Sequence, residues 1–505
     1  MAHARRFGAR ESACCCVGHP LCEREKHRRY TLQHLPCHAF ARTVRAVTTS
    51  LRSLPLPALT VAPARPVLPA RDYDDRLTAL MRSAGTDWVV VYGDREHAAN
   101  LVFLTNFDPR FEEALLVMGP RGKRALLLGN EGVGYTSQAI PELEFVLAQS
   151  LGLMGQTRAE APRLDLVLRA LGMAAGDSVG MVGWKYLEAE EGDPQDADEP
   201  AYVPAYMLRQ VRRIVGPGAT VSDVTRVLMH PTDGLKSHNN AAQIAQFEWA
   251  AMLASNAVQR VVRGARPGHS EAETAASLFA HTGAPYACHP MLTAAGPDAP
   301  LIGLRSPGDR LLRYGDGVSC AAGYWGSLCA RAGLLRAEPD AAFVSGVALP
   351  YFEAIATWWQ TLRIGVSGGA MHAAVHAALV GVNWRPALNP GHLISIDEWT
   401  HTPIREDSGE RLANGMALQC DIIPAPMPNG WGLNCEDSVA LGDGQLRADL
   451  AANFPECWSR IQARRAWMRD GLGFTLSDDV LPLSNAPACL APFWLAPDLI
   501  CRVDA

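Results

Sequence analysis

The sequence predicts an α/β (α+β) protein built from two domains. From residue 71 to about 232, short apolar runs alternate with helical patterns, the order of a sheet covered by helices. From about 233 to 470 the order changes to two helices, a hairpin, a helix pair and three strands, as expected where two α/β halves face each other. With 505 residues and 48% hydrophobic side chains, the chain can bury a large core.

In the first domain, Leu77, Leu80 and Met81 fall at helical spacing within residues 71–84, and Trp88-Val-Val-Val-Tyr92 follows as a buried strand. Leu101-Val-Phe-Leu104 and the runs 113–118 and 124–128 read as further strands, 162–171 as a helix and 178–184 as another core strand. The acidic run 188–199, broken by Gly192 and Pro194, reads as a solvated loop. A linker falls near Asp233-Gly-Leu-Lys236. Beyond it, Ile244, Phe247, Met252, Ala254, Val258 and Val261 mark one face of a long helix that Gly264 ends. Ser270-Glu-Ala-Glu273 is a capping-box pattern that opens the next helix. A helix pair is expected over 342–362 and 367–380. Tyr351, Phe352, Trp358 and Trp359 crowd its first member, as core or as the contact of a homodimer.

The ends read differently. Residues 1–70 are Arg-rich and acid-poor, then Pro-rich, with no periodic apolar face, and disorder is expected. Their composition fits an organelle transit peptide, and equally a start codon placed upstream of the native one. Five of the 13 cysteines (Cys14, Cys15, Cys16, Cys22 and Cys37) lie there without a regular disulfide framework. The others sit singly in apolar runs, as reduced core residues of a cytoplasmic protein. Residues 471–505 read as a short carboxy-terminal extension. A formal charge of -6 without a basic block in the folded part gives no electrostatic support for a nucleic-acid or membrane-surface role. No apolar run reaches the ~20 residues of a membrane span.

The chemistry concentrates late in the chain. The stretch Asn389-Pro-Gly-His-Leu-Ile-Ser-Ile-Asp-Glu-Trp-Thr-His-Thr-Pro403 sets His392 behind a Pro-Gly turn at the mouth of a strand. Two later strand-like runs, 415–424 and 431–441, carry Asp421 and Glu436 among apolar neighbours. A buried carboxylate without a partner costs about 3–5 kcal/mol, so something must face each. Two other patterns are decoys. Gly365-Val-Ser-Gly-Gly369 has nucleophile-elbow spacing but follows a helix, and Ser367 reads as an N-cap. His372 and His376 have the spacing of a zinc helix with alanine in place of the base, and read as solvent-facing or locally bonded.

The histidine–acid–acid order resembles the pita-bread superfamily of Xaa-Pro aminopeptidases, prolidases, methionine aminopeptidases and creatinase (peptidase family M24), over roughly residues 75 to 470. The resemblance implies a creatinase-like N-terminal α/β domain over 71–232, followed by a pita-bread domain over 233–470. It places His392, Asp421 and Glu436 in one cleft, on positions where the family has a histidine and two glutamates of a two-metal centre; Asp421 is one methylene short. The family's other two ligands are aspartates on a hairpin that begins with Gly-Asp. In the hairpin Gly315 to Arg331 those positions hold Ala321 and Leu328, while the basic Arg331 is kept. One imidazole and two acids are too few for a bridged pair of ions. Creatinase works without metal through a histidine shortly before the Gly-Asp; here that position is Leu304, beside Arg305. The nearest upstream histidine, His289, is the candidate replacement.

The expectation is a hydrolase of a C–N bond in a small-molecule substrate, without a dinuclear centre and with no cofactor. In it His392 shuttles a proton near neutral pH, Glu436 and Asp421 assist, and Arg331, Arg305, His289 and Trp399 contact the substrate, the arginines gripping a carboxylate. Two alternatives stand beside it. One is an Xaa-Pro aminopeptidase or dipeptidase with a reduced site, one divalent metal ion on His392, Asp421 and Glu436. The other is a non-catalytic pseudo-peptidase that binds a small ligand or partner. A purely structural account pairs Glu436 or Asp437 with Arg331 or Arg305. The missing aspartates generate a first prediction: by atomic absorption, the purified protein should hold clearly fewer than two equivalents of metal per chain. Two tightly held ions would show the matching of Ala321 and Leu328 to be wrong.

Overall fold

In the amino-terminal part of the computed structural model, which describes residues 47–188, 191, 201–281 and 283–504, strands and helices alternate. The chain runs β1 (Thr49–Ser53), α1 (Ala70–Ala84), β2 (Trp88–Gly93), α2 (Ala99–Thr105), β3 (Ala114–Gly119), β4 (Lys123–Leu128), β5 (Glu144–Leu147), α3 (Leu164–Leu171), β6 (Val179–Val182), α4 (Ala205–Val215), β7 (Val221–Asp223) and α5 (Arg226–Met229). Six strands form one sheet in the order β5-β4-β3-β2-β6-β7, antiparallel from β2 to β4 and parallel outside them. Along β2 the side chains divide between two cores. Val89 and Val91 pack with Leu77, Leu80 and Leu101, while Trp88, Val90 and Tyr92 pack with Leu168, Met207 and Val211. Helices therefore cover both faces, and the strands read as continuous apolar runs rather than alternating ones.

Leu101–Leu104, expected as a strand, is helical. Every residue from Asn100 to Thr105 is buried, so the segment has no polar face by which a helical period could show itself. The expectation of disorder also fails for residues 47–70: β1 pairs antiparallel with a strand near the carboxy terminus, Thr49 opposite Val503. The cysteine-rich segment before residue 47, and residues 189, 190 and 192–200 of the acidic run, lie outside the described residues.

The chain continues with α6 (Ala241–Gly264), α7 (Glu271–Thr274), β8 (Met291–Ala295), β9 (Gly317–Tyr324), β10 (Ser327–Leu334), α8 (Ala341–Phe343), α9 (Leu349–Thr361), α10 (Gly368–Ala378), β11 (Arg385–Pro386), β12 (His392–Leu393), β13 (Ala417–Cys420), β14 (Pro424–Ala425), β15 (Asn434–Leu441), α11 (Gly444–Asn453), α12 (Pro455–Ala466), β16 (Val480–Pro482) and β17 (Leu499–Val503). Its main sheet has the order β12-β13-β15-β10-β9-β8, with β16 also on β15. Helix α6 lies over β9 and β10, where Ala254, Val258 and Val261 meet Val318, Ala322 and Cys329. The continuous helical run Ala341–Thr361 is long and apolar enough to cross a membrane by length and composition alone. Its Tyr351, Phe352, Trp358 and Trp359 are nevertheless fully buried within the single chain, so they are core and not a subunit contact. The last residues are core as well: Phe493, Trp494, Ile500 and Cys501 are fully buried.

Helix starts follow the local chemistry. Ser367 accepts from the Ala370 amide, as an N-cap should. Ser270 and Glu273 form a reciprocal capping box at α7. Ser270→Ala should therefore lower the unfolding free energy by ~1 kcal/mol in urea denaturation, and Ser270→Gly by only a few tenths. Equal losses for the two variants would mean that the cap contributes nothing.

Candidate active site

The turn that presents His392 admits only glycine at its second position. Gly391 has φ +120°, and a Cβ there would stand 2.6 Å from the Gln419 carbonyl oxygen. The Trp358 indole N–H donates to the Pro390 carbonyl at 2.5 Å and fixes the same turn from below. His392 then pairs with Gln419 across β12 and β13, fully buried. Its Nδ1 lies 3.2 Å from the Leu393 carbonyl oxygen, which assigns the ring proton to Nδ1 and leaves Nε2 as an acceptor.

That Nε2 faces Asp421, just past the end of β13, and Glu436 on β15. One ligand-type atom from each of the three residues lies within 4.8 Å of the others, and all three residues are buried. Glu398 adds a third carboxylate. Nε2 is 3.2 Å from Glu398 Oε1 and 3.8 Å from Glu436 Oε1, neither in hydrogen-bond geometry, and Oδ1 of Asp421 also has no partner. Burial opposes a charged imidazole, but Glu398 and Glu436 outweigh it and raise the His392 pKa to about 10. Burial pushes Asp421 up to about 6 against the pull of His392. Burial and the Asp421 charge together lift Glu436 well above the usual carboxylate range. With one ring proton on Nδ1, Nε2 is the atom where the second proton, favoured by the neighbouring carboxylates, competes with a cation.

Sheet register explains what surrounds this group. Met291, Ala321, Ala330 and Glu436 stand opposite one another in a row across β8, β9, β10 and β15. Leu328, two residues before Ala330, shares its face. Met291, Ala321, Leu328 and Ala330 close into an apolar cluster with Cys288 packed against it. The flank of Glu436 where a second ion would need carboxylates is hydrocarbon. A two-ion centre does not fit these residues; one ion does, because His392 Nε2 and Asp421 Oδ1 are buried and without partners beside Glu436.

The residue after Glu436 points to the other face, and there Arg331 is committed to structure. Its Nη2 bonds Asp437 at 2.7 Å and the Ala486 carbonyl at 2.8 Å; Nε bonds the Cys489 carbonyl at 3.0 Å; Nη1 bonds the carbonyls of Ala330 and Glu436 at 2.8 and 2.9 Å. All five donors are used inside the protein, so Arg331 is not a substrate residue. Arg305 is exposed, and His289, also exposed, bonds the Leu304 carbonyl at 3.2 Å; neither bonds to the His392 group. His289 lines a cavity of about 430 Å³ that also borders Cys288, Ile396 and Asp397. Of the expected substrate contacts, Trp399 is brought to the site: its ring stacks on His392 at 4.1 Å and 21°, and it remains 37% exposed.

Two functional groups escaped the sequence reading. Glu398 sits in the same stretch as His392, but no spacing rule singles it out. Lys236, in the linker, is fully buried; it pairs with Asp397 and donates to Asn100 Oδ1 at 2.9 Å. Burial pulls its pKa down and Asp397 pulls it back. Ile396 packs into the cluster of Leu77, Leu101 and Leu116 beside the amino-terminal sheet. The loop 395–400, with Glu398 and Trp399, is thereby tied to the amino-terminal sheet and its helices as well as to the strand that carries His392.

No protein-family model matches the chain, and no curated protein sequence matches it. Solved structures do. A prolidase from Thermococcus sibiricus superposes with TM-score 0.59 at 16% identity, over 83% of this chain and 98% of that one. The X-Pro aminopeptidase from Thermotoga maritima gives 0.56 at 16% identity, over 73% and 94%. An Xaa-Pro dipeptidase from Bacillus anthracis gives 0.55 at 15%, over 74% and 96%. At such identities the similarity establishes the fold: mixed helices and sheets in the pita-bread arrangement of prolidase-type structures.

The Arg331–Asp437 pair, 2% and 1% exposed, supports a direct test. Arg331→Met should destabilise the protein by ~3–5 kcal/mol, because Asp437 is left charged and alone, and adding Asp437→Leu should restore a large part of that loss. A stable single variant would contradict the structural assignment.

Proposed function

We propose that the protein is a hydrolase of a C–N bond in a small substrate, working with one divalent cation held by His392 Nε2, Asp421 and Glu436. The observation that carries this reading is the buried, unpartnered donor set beside an apolar flank. A divalent cation bound there supplies Lewis acidity and lowers the pKa of water.

The chain's own residues do the rest. The Leu393 carbonyl holds the tautomer that leaves Nε2 available. Glu398 is partly exposed, 27% at its side chain, and is the carboxylate able to take a proton from a nucleophile and return it to a leaving amine. Trp399 covers the imidazole and limits water access. The hydrocarbon wall of Met291, Ala321, Leu328 and Ala330 offers no ligand for a second cation. The solved prolidases and the aminopeptidase of this fold, by their names, act on bonds beside proline, which makes Xaa-Pro-like amides the first substrates to try.

The test combines zinc titration with a panel of small amides, amidines and Xaa-Pro dipeptides. Wild type should take up close to one zinc and turn over at least one member. His392→Ala and Glu436→Gln, still folded, should lose more than tenfold in zinc affinity and most of the activity. Glu398→Gln should keep the zinc and lose turnover by about 10²–10⁴-fold. Activity undiminished in folded His392→Ala would remove the catalytic assignment. A panel without turnover, but with a ligand that raises the melting temperature, would make the chain a binding protein.

A further inference from the structure

Arg65 lies in the segment ahead of α1, beside a cavity of about 270 Å³ between that segment, the end of α2 and the 283–286 loop. It is partly buried, yet among the described residues its guanidinium has no hydrogen bond or ion pair. The nearby Arg76 is the contrast: it donates to the Phe103 carbonyl and to Gln243 Oε1, each at 2.8 Å. Burial lowers the Arg65 pKa, and the phenol of Tyr73 is what acts against that. The five donors of this guanidinium, taken up by no protein acceptor among the described residues, are available to a ligand that enters the cavity beside them.

The cavity is rich in donors and poor in acceptors. The Gln138 amide and the Trp325 indole also line it, and neither side chain is bonded to the protein among the described residues. Its carboxylate, Asp108, is already paired with Arg110 at 3.2 Å. Arg110 adopts φ +60°, a left-handed conformation that a side chain rarely takes and that here turns it into the cavity wall. Asp108, Arg110, Tyr286 and Trp325 line this cavity and also the adjoining one of about 430 Å³, which reaches Cys288 and Asp397 next to Glu398. The two adjoin through these shared residues, and the larger extends as far as Cys288 and Asp397.

We infer that Arg65, with the Gln138 amide and the Trp325 indole, forms a carboxylate-binding subsite for the end of an extended small ligand such as a short peptide. The identification of that ligand as the substrate rests on the hydrolase reading; the subsite itself does not. A planar guanidinium with free donors matches a carboxylate in two-pronged fashion, and such charge-assisted bonds distinguish an acid from its neutral amide.

Calorimetric titration of the full-length protein with an acetylated dipeptide and with its carboxamide tests this. The free acid should bind wild type at least tenfold more tightly than the amide. In Arg65→Gln that ratio should fall to near one, with amide affinity and melting temperature unchanged; Arg65→Lys should recover only part of it. Inorganic phosphate should displace the acid from wild type and leave amide binding unaffected. An undiminished ratio in Arg65→Gln, a ratio near one in wild type, or phosphate that binds without displacing the acid would each overturn the proposal. Zinc titration separates this from the hydrolase reading: a protein that takes no zinc but keeps the tenfold ratio refutes the cation centre and leaves the subsite standing.

Discussion

The structure depends on how it compensates acidic charge inside a sheet. Glu436 and Asp437 are consecutive on β15, so they point to opposite faces, and each is buried. Asp437 is answered in full by Arg331, the Ala488 amide and a shell of cysteine side chains. Glu436 is answered only by a histidine that two other carboxylates also claim. One face of the strand is a closed ion pair. The other is a group of acids with too little positive charge beside them, an arrangement that could hold a cation.

That imbalance is held in place by distant parts of the chain. Gly391 and Trp358 set the turn before His392. Lys236 and Asn100, far back in the chain, hold the loop that carries Glu398 and Trp399. The carboxy-terminal residues supply the carbonyls of Ala486 and Cys489 that seat Arg331. None of these groups belongs to the His392, Asp421 and Glu436 set, yet each fixes a residue in or beside it. In low dielectric such a network rigidifies because every member has its partner, and His392 Nε2 and Asp421 Oδ1 stand out because they do not.

Much of the fold was legible in the sequence, because buried strands, a capped helix start and a glycine turn each leave a local mark. Leu101–Leu104 was misread because a helix buried on every side shows no period. The convergence of His392, Asp421 and Glu436 came from resemblance, since residues so far apart in sequence cannot be brought together by any local pattern. Arg331 was misassigned for the same reason: nothing in the hairpin shows that the residues after Pro482 would supply its acceptors. Glu398, Lys236 and Arg65 were missed because a single charged residue in a loop looks like surface until the cavity or the partner is seen.

The site as built has donors for one cation on His392, Asp421 and Glu436, and hydrocarbon at Ala321 and Leu328. Anomalous diffraction from crystals grown with zinc measures it most directly. The account predicts one strong peak among His392 Nε2, Asp421 and Glu436 and none beside the Ala321–Leu328 cluster. A second peak of comparable height within bonding distance of the first, or no peak among the three side chains, would contradict it.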